Sequence, residues 1–116
     1  MQYALLIYSD ESRSEAERAS ILQEYAKLTD DLRGEGKLLA SQELQPTATA
    51  TTVQVRDGDA IVTDGPFAET KEALGGFYLI EAESLDEAIE WAGRIPDARY
   101  GTIEVRPLVD HSGNGA

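Results

Sequence analysis

The chain has 116 residues, 41% hydrophobic and 28% charged, enough for one globular domain and too few for two independent cores. Its 10 basic residues are scattered among 22 acidic ones for a formal net charge of -12, which excludes sequence-independent binding to nucleic acid or an anionic membrane. No cysteine is present, so disulfides, thiolate zinc sites and Cys nucleophiles are excluded as well.

Tyr3 to Tyr8 is a run apolar on both faces, which predicts a strand covered on both sides. The run is far too short to span a bilayer and carries no basic leader or cleavage site, so the expected address is the cytoplasm. Ser14-Glu15-Ala16-Glu17 reads as a capping box opening a helix, along which Ile21, Tyr25, Leu28 and Leu32 form one apolar stripe. Gly34 and Gly36 end that helix. Lys37 to Leu44 predicts a second strand. Pro46 to Thr52 is a threonine-rich loop that runs into a third strand at Thr52–Arg56.

Asp57-Gly58 is a two-residue hairpin signal, and the chain returns through Ala60–Thr63. After a charged interruption, Gly76–Glu81 predicts a further strand. Ser84-Leu85-Asp86-Glu87 is a second capping box, and Leu85, Ala88, Ile89 and Ala92 give the stripe of a second helix, with Trp91 to one side of it. Thr102–Arg106 alternates apolar and charged residues as a last strand. The domain is therefore read as residues 1–107 and the polar remainder, 108–116, as a frayed tail.

The order β-α-β-(hairpin)-β-α-β is the α+β, ferredoxin-like split βαβ pattern with an inserted hairpin. Two helices cover one face of such a sheet. The other face carries apolar residues from Tyr3–Tyr8 and Phe77–Ile80, and a second copy of the sheet is its simplest cover, which predicts a homodimer.

The segment from Asp64 through Gly65-Pro66-Phe67-Ala68-Glu69-Thr70-Lys71-Glu72 to Gly75-Gly76-Phe77-Tyr78 is the most specific in the chain. Asp64 is placed to bond turn amides, Gly65 and Pro66 shape the backbone, and Phe67 can anchor the loop. Asp64 beside Lys71 and Glu72 has the groups for acid–base chemistry, and a desolvated Asp64 would serve as general base or acid. The same residues equally fit a turn-capping Asp64 with its neighbours in water. Candidate ligand contacts are Pro66, Phe67 and Glu69 from this segment and the phenols of Tyr25 and Tyr78.

This segment resembles the signature of the DGPF-domain proteins, a branch of the YCII-related proteins similar in fold to muconolactone isomerase and other dimeric α/β barrels. The likeness continues in Leu5-Leu6-Ile7-Tyr8, Leu44-Gln45-Pro46, Ala88-Ile89-Glu90-Trp91-Ala92 and Glu104-Val105-Arg106-Pro107. It implies sheets packed together in a dimer and a pocket that contains Asp64. It also implies an association with extracytoplasmic-function sigma factors, and hence a regulatory partner. The wider group has a proposed catalytic His on the first helix paired with an Asp after the second strand. Here the helix has no histidine; counting from Gly36, Tyr25 lies about where it would fall, and Asp64 belongs to a later element.

His111 is the single histidine and has no converging ligands, so no metal site is expected. No phosphate loop, Ser–His arrangement or dinucleotide fingerprint is present, and no cofactor is expected. Two functions remain: a small-molecule-binding or regulatory module, and a cofactor-independent acid–base enzyme of the isomerase or lyase type.

Overall fold

Six strands and two helices follow one another as β1 (Gln2–Ser9), α1 (Glu15–Gly34), β2 (Leu38–Glu43), β3 (Thr51–Arg56), β4 (Asp59–Asp64), β5 (Ala73–Glu81), α2 (Leu85–Arg94) and β6 (Thr102–Pro107). The structure, a computed structural model, describes residues 1–111. β1, β2, β5 and β6 form an antiparallel sheet in the order β2-β5-β1-β6, while β3 and β4 pair only with each other. This is the α+β, ferredoxin-like arrangement expected from the element order, with the hairpin inserted between the sheet's second and third strands.

Alternate residues of the two central strands build the core. Tyr3, Leu5 and Ile7 of β1 lie opposite Ile80, Tyr78 and Gly76 of β5, and the side chains of all but the glycine join the core beneath the helices. α1 brings Leu28 and Leu32 onto them, and α2 brings Ala88, Trp91 and Ala92. Leu5, Leu32, Ile80 and Ile95 are fully enclosed, each contributing roughly 1.5–3 kcal/mol by leaving water. On the opposite face Leu6, Phe77 and Leu79 stay partly exposed, since neither helix reaches them.

Both halves of the first capping box form: Ser14 accepts from the Glu17 amide, and the Glu17 carboxylate accepts from the Ser14 amide. The second box forms only by half. Ser84 caps Glu87, but the Glu87 carboxylate turns away to the Glu83 amide (2.8 Å), the Trp91 indole (3.0 Å) and Lys37 (2.8 Å). Those contacts, the Glu83 amide foremost, pull the Glu87 pKa down to about 2.

The stripe expected on α2 is also displaced. Ala88 and Ala92 are buried, yet Leu85 and Ile89 are half exposed, and Trp91 and Ile95 fill the core instead. The helical period allows either stripe. Ile95, one residue beyond the helix, selects the second by extending the 88-91-92 row, and the indole bond to Glu87 orients Trp91 inward.

β5 begins at Ala73, earlier than the expected Gly76. The two glycines pair with β2: the Leu44 amide donates to the Gly75 carbonyl at 2.8 Å, and a Cβ on Gly76 would lie 2.8 Å from the Gln42 carbonyl. Asp57 and Gly58 both adopt positive φ (51° and 82°), which the tight right-twisted hairpin turn requires. Of the expected tail, Leu108 donates to the Gln2 carbonyl at 2.9 Å, and residues 112–116 lie outside the described residues. No helix among the described residues is long and apolar enough to cross a membrane.

Glycine sites divide sharply by what surrounds them. A Cβ on Gly101 would lie 2.1 Å from the Tyr8 carbonyl, whereas one on Gly93, inside α2, would meet nothing within 4 Å. Gly101→Ala is expected to lower the unfolding free energy by about 3 kcal/mol through overpacking. Gly93→Ala should raise it by roughly 0.5–1 kcal/mol through helix propensity. Urea titrations followed by circular dichroism would measure both.

Candidate functional site

The segment before α1 and the turn after α2 meet at one buried carboxylate. Asp97, only 5% exposed, sits in a single 3-10 turn at Pro96–Ala98, where the Tyr100 and Gly101 amides bind its carbonyl and fix the turn. Its side chain accepts from Arg13 at 2.6 Å on one oxygen and from the Tyr25 hydroxyl at 2.5 Å on the other. Ser14 starts α1 directly after Arg13, and Tyr25 lies three turns along the helix, so the capping box and the helical period together aim both groups at Asp97.

Tyr25 stacks nearly parallel on Tyr78, with centroids 6.4 Å apart and planes at 12°. Thr29 bridges the two by bonding the Tyr78 hydroxyl (2.8 Å) and the Tyr25 carbonyl (2.9 Å). Burial, reinforced by the Asp97 carboxylate, pushes the Tyr25 phenol far above its ordinary pKa; burial also raises Tyr78. Tyr25 is therefore a fixed neutral donor whose proton points at Asp97, leaving its oxygen lone pairs for another partner.

These groups form one wall of a cavity of about 350 Å³ between α1 and the sheet. Ile7, Ile21, Leu22 and Leu44 supply apolar wall, and Gly75-Gly76 gives a low floor where side chains are absent. Asp10, Glu11, Glu43 and Asp97 face Arg13 and Arg18, a surplus of two negative charges. Both guanidiniums are engaged, Arg13 by Asp97 and Arg18 by Glu43 at 2.7 Å. Glu11 ties the rim to the loop after β2 by accepting from the Thr47 amide and hydroxyl.

Of the residues singled out from the sequence, Tyr25 and Tyr78 line this cavity. Asp64 does not: it ends β4, exposed, paired in register with Thr51. Pro66 and Glu69 border a separate shallow depression beside Thr47 and Ala73, and Phe67 is 80% exposed. Glu72 accepts from Thr102 at 2.9 Å, and Lys71 approaches Asp10 on the cavity rim. The Asp10 pKa is lowered mainly by the Ser12 amide and hydroxyl, with Lys71 and Arg13 adding to the effect. Arg13, Asp97, Ser41 and Gln42 were not marked by sequence reasoning. Arg13 and Asp97 are 84 residues apart, a separation at which no local pattern pairs them.

Two comparisons place the chain among known proteins. A family model described as the YCII-related domain matches residues 1–112. An uncharacterized protein of Rhizobium meliloti (strain 1021) is 43% identical over 114 residues, an alignment that covers 93% of this chain and 92% of that one.

Removing Asp97 strands a partly buried guanidinium, so Asp97→Ala should cost about 3 kcal/mol in a urea titration. Tyr25→Phe should cost about 1.5 kcal/mol by losing a bond to a charged group. The raised phenols also set an alkaline limit. An unfolded tyrosine ionises near pH ~10, so the stability held by Tyr25 and Tyr78 is complete below that and declines as pH rises beyond it. Titration of phenolate absorbance should show late-ionising tyrosines, one of which Tyr25→Phe removes.

Proposed function

The chain belongs to the YCII-related family, and on that footing we propose that it binds a small, uncharged or cationic molecule in the cavity beside Tyr25 and Asp97, working as a homodimer. One observation carries the reading: a buried carboxylate, held by a guanidinium and a phenol, lines a cavity whose wall mixes apolar and charged side chains. The volume falls within the ordinary range for ligand sites of ~300–1,000 Å³. The surplus negative charge and the two engaged arginines disfavour a carboxylate or phosphate ligand. A ligand hydroxyl or ammonium would donate to the Tyr25 oxygen while its carbon skeleton lies against Ile21 and Leu22.

The alternative is acid–base chemistry of the isomerase or lyase type, now centred on Tyr25 and Asp97. Tyr25 would have to give up its bond to Asp97 and overcome its raised pKa to pass a proton to a substrate, which places this reading second. A reading that keeps the site at Asp64, with Lys71 and Glu72, has a neighbouring depression at Gly65, Pro66 and Glu69, though Asp64, Lys71 and Glu72 do not themselves line it. A regulatory role beside an extracytoplasmic-function sigma factor rests on the resemblance alone.

Matched probes separate the two candidate sites. Benzyl alcohol, benzylamine and benzoate would be titrated into the labelled protein at millimolar concentration and followed by amide chemical shifts. The first two should move resonances around Tyr25, Tyr78 and Ile21, with benzoate weaker by about tenfold. Leu22→Trp, at the half-exposed rim, should abolish the shifts. Shifts that survive this variant and vanish in Asp64→Asn would move the site to the charged turn.

A further inference from the structure

The β3–β4 hairpin is an arm without a body beneath it. The chain leaves β2, makes the arm and returns into β5, so the arm projects from the edge of the sheet where those two strands pair. No residue of β3 or β4 is buried. The radius of gyration, 16.4 Å, exceeds the ~13 Å expected of a compact chain of this length, and the molecule is a slab 48 × 46 × 18 Å. A two-stranded ribbon alone is marginal in water.

The arm's two faces differ. In register, Val53 opposes Val62 and Val55 opposes Ala60, so one face is apolar from its middle toward the tip, with Thr51 and Asp64 at its base. Val53, Val55 and Val62 are 60%, 62% and 64% exposed. The other face carries Thr52, Gln54, Arg56, Asp59 and Thr63, relieved only by Ile61. Such alternation marks a strand with one covered face, yet here the polar face is the more sheltered, at Thr52 and Gln54, and the valine face stands open.

We infer that the apolar face of the arm seats on a second copy of this chain, each protomer clasping the other. The inference rests on the homodimer reading and names the element that closes the interface. The size of the patches argues for it. From strand spacing and rise, the open face of the four-stranded sheet spans roughly 400 Å² and the arm face roughly 200 Å². A standard interface takes about 800 Å² of accessible surface from each partner. The flat sheet falls well short alone, and with the arm it approaches that size. Leu6, Phe77 and Leu79, on a face no helix reaches, give the second copy its apolar surface for the open sheet, and the arm adds contact beside theirs. Asp57 and Gly58 at the tip keep the end of the arm in water.

Sedimentation velocity across a concentration series tests the clasp. The wild-type protein should be a dimer at micromolar concentration. Val53→Asp with Val62→Asp should weaken dimerisation by about 100-fold or more, since charges would enter an apolar contact. Val55→Lys should act in the same direction, and Thr63→Asp, on the polar face, should leave the dimer intact. Circular dichroism should stay that of the wild type, because these side chains touch no protomer core. A wild-type dimer unmoved by the valine variants would overturn the clasp and leave a sheet-to-sheet dimer standing. A wild-type monomer at tens of micromolar would overturn both.

Discussion

The bonds from Arg13 and Tyr25 to Asp97 are the contact on which the rest of the site depends. They tie the lead-in to α1, the middle of α1 and the turn beyond α2 to one carboxylate, and so fix how the two helices lie on the sheet at the cavity's end. A buried ion pair contributes little net stability, because desolvation offsets most of its attraction, and an apolar trio of similar volume would hold the same segments as well. Unlike such a trio, it sets charge and hydrogen-bonding groups at the wall of a cavity.

The polar bonds around this trio define what the cavity offers a ligand. Among the described residues no buried side-chain oxygen or nitrogen lacks a partner. A ligand therefore has no orphaned group to satisfy. It must add to spare acceptor capacity, of which the Tyr25 oxygen and the carboxylates hold most, or displace a bond already made. In a ligand-binding cavity that asymmetry, more acceptors than free donors, would favour donor-bearing molecules independently of net charge.

The fold was legible because its signals are local. The Ser14 capping box, the Ile21–Leu32 stripe, the Asp57-Gly58 turn and the alternation of β6 each specify an element within a few residues. Where the reading slipped on α2, two stripes shared the same period and only a residue beyond the helix, Ile95, decided between them. The site was less legible. Tyr25 and Tyr78 were marked as phenols able to line a cavity, but their polar partners come from the far end of the chain. Asp97 sits in a short Pro-initiated turn where an acidic residue is ordinary, and Arg13 precedes a cap where a charge is ordinary too. Neither departs from what local structure alone would place there.

The charged turn from Asp64 to Glu72 drew attention because its residues are dense in chemistry, and its structural work lies at its end. It returns the chain from the arm to the sheet, and Gly75-Gly76 then passes against β2 so closely that a side chain at Gly76 would strike the Gln42 backbone. Those same glycines form the cavity floor. One sequence feature thus serves two constraints, close strand pairing and open space above it, and the arm and the cavity are joined through it. A load on the arm would reach β5 at Ala73 and the cavity floor two residues later. In a clasped dimer, the arm held by one copy and the pocket of its own protomer would share a single stretch of backbone.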